Sequence, residues 1–343
     1  MKRPTLTYSP PQILALGYLS VITAGAGLLR LPAASDGSVS WLDAFFTATS
    51  ATTVTGLYVV DTGSTFTRFG EIVLMLLMQI GGLGLMTFAV LGAIMLGRRL
   101  GLRQRLLFGE AMIATPLGGV VTLAKTLAIF AVAVELLGML VLATVWVPEL
   151  GLGEGLYTSA FHAVSAFNNA GFSLFTDNLA GYVGSPVVNI AITALLITGG
   201  IGFTVIEDLR HSRRWRELAL HTKLMLTGTL AINVLAFGVI LLFEYGNAAT
   251  LGNLGWGEKL WASWFQGVAP RTAGFNTIDT GAMTETSLLF TMLLMFIGAG
   301  SASTGSGIKL TTFIVILLAV ITFVRGRAEP TAFGRQIPIA TVV

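Results

Sequence analysis

Three short motifs in the sequence share one arrangement, a polar stretch followed by a glycine and one large apolar residue. Their glycines are 115 and 103 residues apart, so the motifs form an internal repeat. Glycine adopts backbone conformations that other residues resist and lets chains approach closely. Several such loops around one axis would present carbonyl oxygens that can replace the hydration shell of a cation. The motifs are Thr53-Val54-Thr55-Gly56-Leu57, Asn168-Asn169-Ala170-Gly171-Phe172 and Arg271-Thr272-Ala273-Gly274-Phe275.

Each motif lies between a short amphipathic run and a long apolar segment. The short runs are Trp41 to Ser50, Tyr157 to Phe167 and Trp256 to Val268, and a bilayer-spanning helix needs about 20 residues. Irregular backbone at membrane depth is tolerated only where protein or a water-filled path surrounds it. We therefore predict short helices that enter the membrane and turn back. Their partly negative C-terminal ends would point towards the membrane centre and favour a cation there.

The composition is that of an integral membrane protein. The 343 residues are 54% hydrophobic and 11% charged, whereas soluble domains carry about 25% charged residues. There is no cysteine, which excludes disulfides and thiolate chemistry. We predict an all-α membrane protein of tandem helix, pore loop and helix repeats, with six spans and three re-entrant loops. The predicted spans are Gln12 to Leu29, Glu71 to Gly97, Gly118 to Val147 with its end at Pro148, Pro186 to Ile206, Leu218 to Phe243 and Ser287 to Val324.

Charge is distributed unevenly between the two sides of this arrangement. Arginine clusters follow the return spans from Arg98, Arg210 and Arg325, while acidic residues are in excess around the short helices. The positive-inside tendency then predicts a cytoplasmic N-terminus and short helices that enter from outside. The external acidic excess would raise the local cation concentration. The arginine clusters act as topology signals and are candidates for contact with a cytosolic subunit.

The third return span contains a stretch unlike a lipid-facing helix. Residues 298–309 include four glycines, three serines and a threonine, which are unfavourable in a helix. We expect this stretch to break the span and line a cavity. The order of Gly307, Ile308 and Lys309 does not fit a phosphate-binding loop of the GxxxxGK[ST] type. Lys309 would lie at membrane depth, where a cation is a functional candidate or an ion-paired residue.

The repeated motifs and the glycine-rich stretch resemble the membrane subunit of the Trk/Ktr/HKT superfamily of potassium transporters, and the short N-terminus is similar to its KtrB branch, with TrkH as the other candidate. This resemblance implies potassium as the transported ion and no bound cofactor. It also implies a homodimer in the bacterial inner membrane, in contact with lipid and with a cytosolic nucleotide-binding subunit of the KtrA/TrkA type. We expect neither nucleotide nor nucleic acid to bind this chain.

The resemblance also implies roles for individual residues. The predicted potassium filter comprises Thr53, Val54, Thr55, Gly56, Asn169, Ala170, Gly171, Thr272, Ala273 and Gly274. The predicted gate, a flexible intramembrane loop below the filter, comprises Gly298, Gly300, Ser301, Ser303, Thr304, Gly305, Gly307 and Lys309. A second glycine series, Gly81-Gly82-Leu83-Gly84 and Gly199-Gly200-Ile201-Gly202, indicates either close helix packing or a further role near the filter.

The family has four units, and three are recognised in these residues. We divide the chain into pore repeats 1–105, 106–217 and 218–328, with 329–343 as the start of a fourth repeat. We expect a C-terminal truncation, and no transport by three repeats alone because they do not close a ring.

Three alternative functions make different demands on the sequence. An alternating-access cation-coupled transporter with broken helices is the alternative, but such proteins usually show two related halves. An intramembrane enzyme would need a catalytic set, and Glu135 and Glu207 show no partner in the sequence. The third alternative is a membrane scaffold that binds a partner protein.

Overall fold

The computed structural model describes residues 10–37, 39–99, 117–212, 214–305, 307–326 and 329–337. Apart from one short hairpin, its regular elements are helices, as predicted. In chain order the α-helices are α1 (Pro10–Leu29), α2 (Trp41–Thr52), α3 (Thr62–Thr65), α4 (Arg68–Arg99), α5 (Leu117–Leu150), α6 (Leu152–Phe167), α7 (Pro186–Ile201), α8 (Phe203–His211), α9 (Leu220–Glu244), α10 (Trp256–Val268), α11 (Glu285–Phe296) and α12 (Leu310–Val324). Two 3₁₀ turns lie at Ala180–Tyr182 and Thr280–Ala282.

The helices repeat three times in the order outer helix, short helix, loop and return helix. The outer helices are α1, α5 and α9, and the short helices are α2, α6 and α10. Each short helix packs against the outer helix of its own unit. The apolar residues between them form two large buried clusters: one centres on the first unit and reaches Phe161 and Phe172, and the other joins the second unit to Phe265 and Phe275 of the third. The shared clusters hold neighbouring units together.

Helix length and composition agree with a membrane location. Among the described residues, Lys125–Leu150 and Leu220–Glu244 are each long and apolar enough to cross a bilayer. The bent pair α7 and α8 qualifies as a third span when its halves are taken together. Ala15–Leu29, α11 and α12 are shorter apolar helices.

Two predicted helix ends were wrong. Pro148 does not stop α5, which continues to Leu150. A proline in the last turn removes one amide donor and displaces one carbonyl, and the helix still closes because the Gly151 amide donates to the Val147 carbonyl at 3.0 Å. The second return segment is not one straight span either, since α7 and α8 meet at 91°.

The bend between α7 and α8 is centred on Gly202. This residue has φ 90° and ψ 147°, outside the helical region. A Cβ there would lie 2.2 Å from the Ser301 carbonyl oxygen, so only glycine fits. The next amide, that of Phe203, donates to the Ala302 carbonyl at 3.0 Å. The helix therefore breaks where another segment supplies its hydrogen-bond partner.

The third return segment is broken as predicted. Its halves α11 and α12 are separated by residues 297–305 and 307–309, which are irregular. Beyond α12, Thr331–Ala332 and Arg335–Gln336 form an antiparallel hairpin, β1 and β2, which was not predicted. The ring of Phe333 in this hairpin packs edge-on against Trp215, with 6.1 Å between centroids. Residues 338–343 lie outside the described residues.

Candidate ion pathway

The short helices α2 and α6 end in the same backbone pattern. In α2 the Thr55 amide donates to Ser50 and the Val54 amide to Ala51. These two bonds define a Schellman C-terminal cap, which requires a left-handed residue just after the helix. That residue is Val54, with φ 55°. The cap turns the chain sharply at the end of the helix and so starts the glycine loop.

The second motif repeats this pattern with different side chains. The Ala170 amide donates to Ser165 and the Asn169 amide to Ala166, and Asn169 has φ 57°. In the third motif Thr272 has φ 77°. Each motif thus has a left-handed residue two positions before its glycine, a conformation that costs a non-glycine residue about 1–2 kcal/mol. This feature was not predicted, and of the three residues only Asn169 is of a type that often adopts positive φ.

The glycines of the three motifs are left-handed as well and lie against one another. Gly56, Gly171 and Gly274 have φ 81°, 73° and 75°. A Cβ on Gly171 would lie 2.5 Å from the Ala273 carbonyl oxygen and 2.8 Å from the Gly274 Cα, and one on Gly56 would lie 2.9 Å from the Ala170 carbonyl oxygen. Contacts this short exclude any side chain. The fold therefore brings the three motifs, distant in sequence, to one place.

Polar side chains of α6 hold the second loop in place by hydrogen bonds. The Ser165 hydroxyl in α6 donates to the Phe172 carbonyl at 2.8 Å, directly after the second glycine. His162, fully buried, lies 2.8 Å from the Thr158 carbonyl through Nδ1 and 3.0 Å from the Ser173 hydroxyl through Nε2. Nδ1 must donate to the carbonyl, so Nε2 accepts from Ser173. Burial lowers the pKa of His162 to about 4, which keeps the ring neutral.

The second glycine series lies against the ends of the short helices. A Cβ on Gly81 would lie 2.0 Å from the Thr52 carbonyl oxygen, and one on Gly199 would lie 1.9 Å from that of Phe167. Thr52 and Phe167 occupy the same position, four residues before the motif glycine. These glycines therefore allow the return helices to touch the backbone at the start of each loop.

The predicted gate residues form one compact loop between α11 and α12. The Gly298 amide donates to the Ile308 carbonyl at 2.9 Å, which closes the base of the loop. Gly307 has φ 77°, and a Cβ there would lie 2.9 Å from the Gly298 Cα. Within the loop, the Ser303 hydroxyl donates to the Gly300 carbonyl at 2.6 Å. The Lys309 ammonium donates to the Gly305 carbonyl at 2.7 Å, so this lysine binds the loop itself.

The gate loop also contacts the second and third motifs. The Asn169 amide nitrogen donates to the Thr304 hydroxyl at 2.8 Å. A Cβ on Gly305 would lie 2.5 Å from the Thr272 hydroxyl oxygen. The half-buried Ser301 contributes its carbonyl to the tight approach at Gly202 described above. The fold thus places the predicted filter and gate residues side by side.

Backbone hydrogen bonds join the same loop to the end of α7. The Gly300 amide donates to the Gly200 carbonyl at 2.7 Å, and the Thr304 amide donates to Gly199 at 3.3 Å. Together with the Phe203 bond to Ala302, these contacts dock the loop onto the bend at Gly202. The loop and the broken return helix of the second unit therefore form one structural unit.

Each short helix carries a carboxylate in its first turn, namely Asp43, Glu154 and Glu258. Acidic residues are favourable at helix N-termini because of the helix dipole. The Ser40 backbone amide donates to the Asp43 carboxylate, and the Ser40 hydroxyl accepts from the Asp43 backbone amide, both at 3.1 Å. Hydrogen bonding with Ser40 lowers the pKa of the Asp43 carboxyl. Glu154 forms an exposed ion pair with Arg68. Within the described ranges, no group of three His, Cys, Asp or Glu residues could hold a metal ion.

Two carboxylates without a predicted partner have one in the structure. Glu207 forms an ion pair with His211 at 3.3 Å when the ring is protonated. Glu135 accepts hydrogen bonds from Gln79 and Asn168, both at 3.2 Å. The partners of Glu135 come from elements distant in sequence, so no local pattern indicates them.

Comparison with known proteins gives concordant matches. The TrkH family of cation transport proteins matches residues 12–342. The chain is 56% identical over 336 residues to the Ktr system potassium uptake protein B of Bacillus subtilis (strain 168), covering 98% of this chain and 76% of that protein. It is 44% identical over 345 residues to the protein of the same name from Vibrio alginolyticus, covering 99% and 75%. The crystal structure of the potassium transporter TrkH from Vibrio parahaemolyticus has the same fold, with a TM-score of 0.76 at 20% identity over 99% of this chain and 68% of that one.

Proposed function

The chain belongs to the TrkH family of cation transport proteins, and we propose that it is the ion-translocating subunit of a Ktr-type potassium uptake system. Relatives at 56% and 44% identity are named potassium uptake proteins, which supports potassium as the cargo. A transporter needs no catalytic set, and we assign this chain no cofactor and no enzymatic reaction.

The observation that carries the proposal is the meeting of three left-handed glycine loops at the ends of three short helices. We assign the filter to Thr53–Gly56, Asn169–Gly171 and Thr272–Gly274. The negative ends of the short-helix dipoles and the backbone carbonyls of these loops would stabilise a dehydrated potassium ion. We assign the three repeats to residues 1–105, 106–217 and 218–328, and 329–343 to the start of a fourth.

We assign the gate to the loop from Gly298 to Lys309. Its support is the contact of Thr304 with Asn169 and of Gly305 with Thr272, since Asn169 and Thr272 belong to the proposed filter. Partial deletion of this loop should raise uptake through the complete protein. Unchanged ion flux after the deletion would refute the gating role.

The subunit arrangement is a further part of the proposal. We place the chain in the bacterial inner membrane as a homodimer, with a cytoplasmic N-terminus and a nucleotide-binding partner of the KtrA/TrkA type on the cytosolic side. Supporting this, the contact of Phe333 with Trp215 brings the basic segment around Arg214 next to the hairpin that carries Arg335. Of the predicted basic clusters, Arg103, Arg105, Arg213 and Arg327 lie outside the described residues.

The partner surface can be tested by charge reversal at Arg210, Arg214 and Arg216. We expect the triple glutamate variant to lose copurification with the regulatory subunit while it still reaches the membrane. The same substitution at Arg30, a basic residue in the loop after α1, is the control. Retained copurification in the triple variant would remove these arginines from the interface.

Potassium transport itself can be tested by complementation in a bacterial strain without its own potassium uptake. Expression of the complete gene should restore growth at low potassium concentration. Gly171→Ala should abolish this growth, because its Cβ would meet the third motif. Gly238→Ala is the matched control, since a Cβ at that position meets no atom within 4 Å. Equal growth of both variants at equal membrane levels would contradict the filter assignment.

A further inference from the structure

One buried polar cluster behind the second motif has no role in the proposal so far. Glu135 in the middle of α5 is 7% exposed. One of its carboxylate oxygens accepts from the Gln79 side-chain amide and the other from the Asn168 side-chain amide, both at 3.2 Å. The Asn168 amide nitrogen also lies 2.8 Å from the Gln79 side-chain oxygen. The three side chains come from the outer helix of the second unit, the return helix of the first unit and the second motif.

The chemistry of this cluster is specific to a carboxylate. Both Glu135 oxygens face N–H donors, so the group acts only as an acceptor. A buried carboxylate is strongly unfavourable unless it is paired or hydrogen-bonded. Within the described parts of the chain, no lysine or arginine forms an ion pair with it at 4.0 Å or less. The two amides therefore satisfy the two carboxyl oxygens of Glu135, and these oxygens in turn fix the two amides.

Asn168 connects this cluster to the filter. It is the C-cap of α6 and immediately precedes the left-handed Asn169. The side chain of Asn168 reaches outwards to Glu135, whereas that of Asn169 donates to Thr304 in the gate loop at 2.8 Å. The start of the second motif is thus held from two sides. A shift of Asn168 would move the turn at Asn169 and would therefore change the direction of the backbone carbonyls that follow it.

The equivalent positions of the other motifs are held differently. Thr53 bonds locally, to the Thr49 carbonyl and the Thr55 hydroxyl. Asn168 makes the equivalent local bond, to the Val164 carbonyl at 2.9 Å, in addition to its bonds within the cluster. Arg271 donates to Asn233 of its own outer helix at 2.6 Å. In the second and third units, a side chain of the outer helix thus bonds to the motif. The ionisable residue of the pair is Glu135 on the outer helix in the second unit and Arg271 on the motif in the third. Among the hydrogen bonds of the described residues, the first unit's return helix takes part through Gln79 in the second unit only.

The return helix of the first unit, α4, contacts this cluster closely through two of its residues. Gln79 and Gly82 are three residues apart on α4 and therefore share a face. A Cβ on Gly82 would lie 2.0 Å from the Asn168 side-chain oxygen. Gln79 thus provides hydrogen bonds to the cluster and Gly82 provides the space for it. This pair of residues aligns the first unit with the second motif.

We propose that Glu135 is a positioning residue for the second filter motif, acting through Asn168 and Gln79, and that it thereby helps to determine the preference for potassium over sodium. The part about ion preference rests on the proposed transport function. The part about position rests on the hydrogen bonds alone and can be tested without transport.

The test compares Glu135→Met, Glu135→Gln and the control Glu149→Ala in the complete protein. Methionine has a similar length and no strong acceptor, so the Gln79 amide loses its bond to Glu135, and the Asn168 amide keeps only the Gln79 oxygen at 2.8 Å and the Val164 carbonyl at 2.9 Å. Glutamine keeps one oxygen acceptor. Glu149 lies near the end of the same helix and accepts from Tyr182, away from the motifs. All variants are first compared for membrane level and thermal unfolding in detergent.

The first readout is amide hydrogen exchange in the segment 167–173. We expect Glu135→Met to speed exchange there by about tenfold, the effect of losing a buried hydrogen bond to a charged group. Glu135→Gln should give a smaller increase and Glu149→Ala none. Unchanged exchange in Glu135→Met would overturn the positioning role, whether or not the protein transports potassium.

The second readout is the ratio of kcat/KM for rubidium, as a potassium substitute, to that for sodium. Glu135→Met should lower this ratio by about tenfold, with partial recovery in Glu135→Gln. Adding Glu135→Met to Asn168→Ala should change the ratio little further, since Glu135 acts through Asn168. A full additional loss would overturn the route through Asn168. If wild-type protein transports neither ion, the transport function fails, and the exchange result still decides the positioning role.

Discussion

The contact between Asn169 and Thr304 yields a direct test of gating, through the substitution Thr304→Val. Thr304 is 1% exposed, and its hydroxyl accepts from the Asn169 amide at 2.8 Å and lies 3.3 Å from the Phe167 carbonyl. Valine has nearly the same shape and lacks the hydroxyl. The substitution therefore removes the side-chain link between the gate loop and the second motif and leaves the backbone bonds to Gly199 and Gly200 in place.

The size of the effect follows from these contacts. Loss of one acceptor for a buried amide costs about 1–2 kcal/mol net, with the Asn169 amide retaining only longer contacts of 3.4 Å to Phe167 and Leu196. Because 1.36 kcal/mol corresponds to a factor of ten, undocking of the loop should become about 5–30 times more favourable. If the docked loop closes the pathway, basal uptake without the regulatory subunit should rise by up to this factor.

The assay measures initial rubidium uptake into proteoliposomes that contain the complete protein, with and without the regulatory subunit. Amide exchange at residues 298–305 reports undocking in the same samples. Thr304→Ser retains the hydroxyl and should behave as wild type. Thr291→Val is the matched control, because its hydroxyl is buried and has no hydrogen-bond partner in the described part of the structure.

Two results would refute this reasoning. Equal amide exchange rates at residues 298–305 in Thr304→Val and Thr291→Val would mean that the Thr304 hydroxyl does not hold the gate loop in its docked position. Faster exchange together with lower uptake would mean that the docked loop belongs to the conducting state, and the direction of the gate would be reversed.

Three further predictions concern single residues. Gly202→Ala should destabilise the protein by at least about 1–2 kcal/mol, measured by thermal unfolding in detergent, because its Cβ would lie 2.2 Å from the Ser301 carbonyl oxygen. Gly81→Ala should reduce rubidium uptake, since its Cβ would meet the Thr52 carbonyl oxygen, while Gly27→Ala, in open space, should leave uptake unchanged. The folded-state pKa of His162 is lowered to about 4, so its neutral form contributes stability above about pH 6.5 that is lost as the pH falls towards 4. A pH series of unfolding midpoints for wild type and His162→Gln should show this difference, and parallel curves would contradict it.

The positions of the short helices were largely predictable from the sequence. Trp256 to Val268 is the helix that the structure contains, and the first short helix extends two residues beyond the predicted end. Amphipathic runs between a polar loop and a glycine motif carry enough local signal to define a helix. The break in the third return helix was predictable for a related reason, since four glycines in twelve residues oppose a helix regardless of context.

The left-handed turn at Val54 could not be read from the sequence. A β-branched residue is among the least suited to positive φ, and nothing local distinguishes Val54 from a residue in an extended segment. The conformation is imposed by the Schellman bonds from Val54 and Thr55 back to α2 and by the packing of Gly56 against the second motif. The same holds for Glu135, whose partners lie 56 and 33 residues away. Both features depend on contacts between units rather than on local pattern.

The two glycine series in the return helices have the same local sequence pattern but different structures. Gly81-Gly82-Leu83-Gly84 lies within the continuous helix α4, whereas Gly199-Gly200-Ile201-Gly202 ends in a bend of 91°. Glycine content is the same in both, so helix propensity cannot separate them. The difference lies in the neighbours. Carbonyls of residues 199 and 200 accept amides from the gate loop, and the Phe203 amide donates back to that loop, so the hydrogen bonds lost from the helix are replaced. A bend at Gly202 is stable because the third unit's return helix is itself broken, and the two irregularities therefore depend on each other.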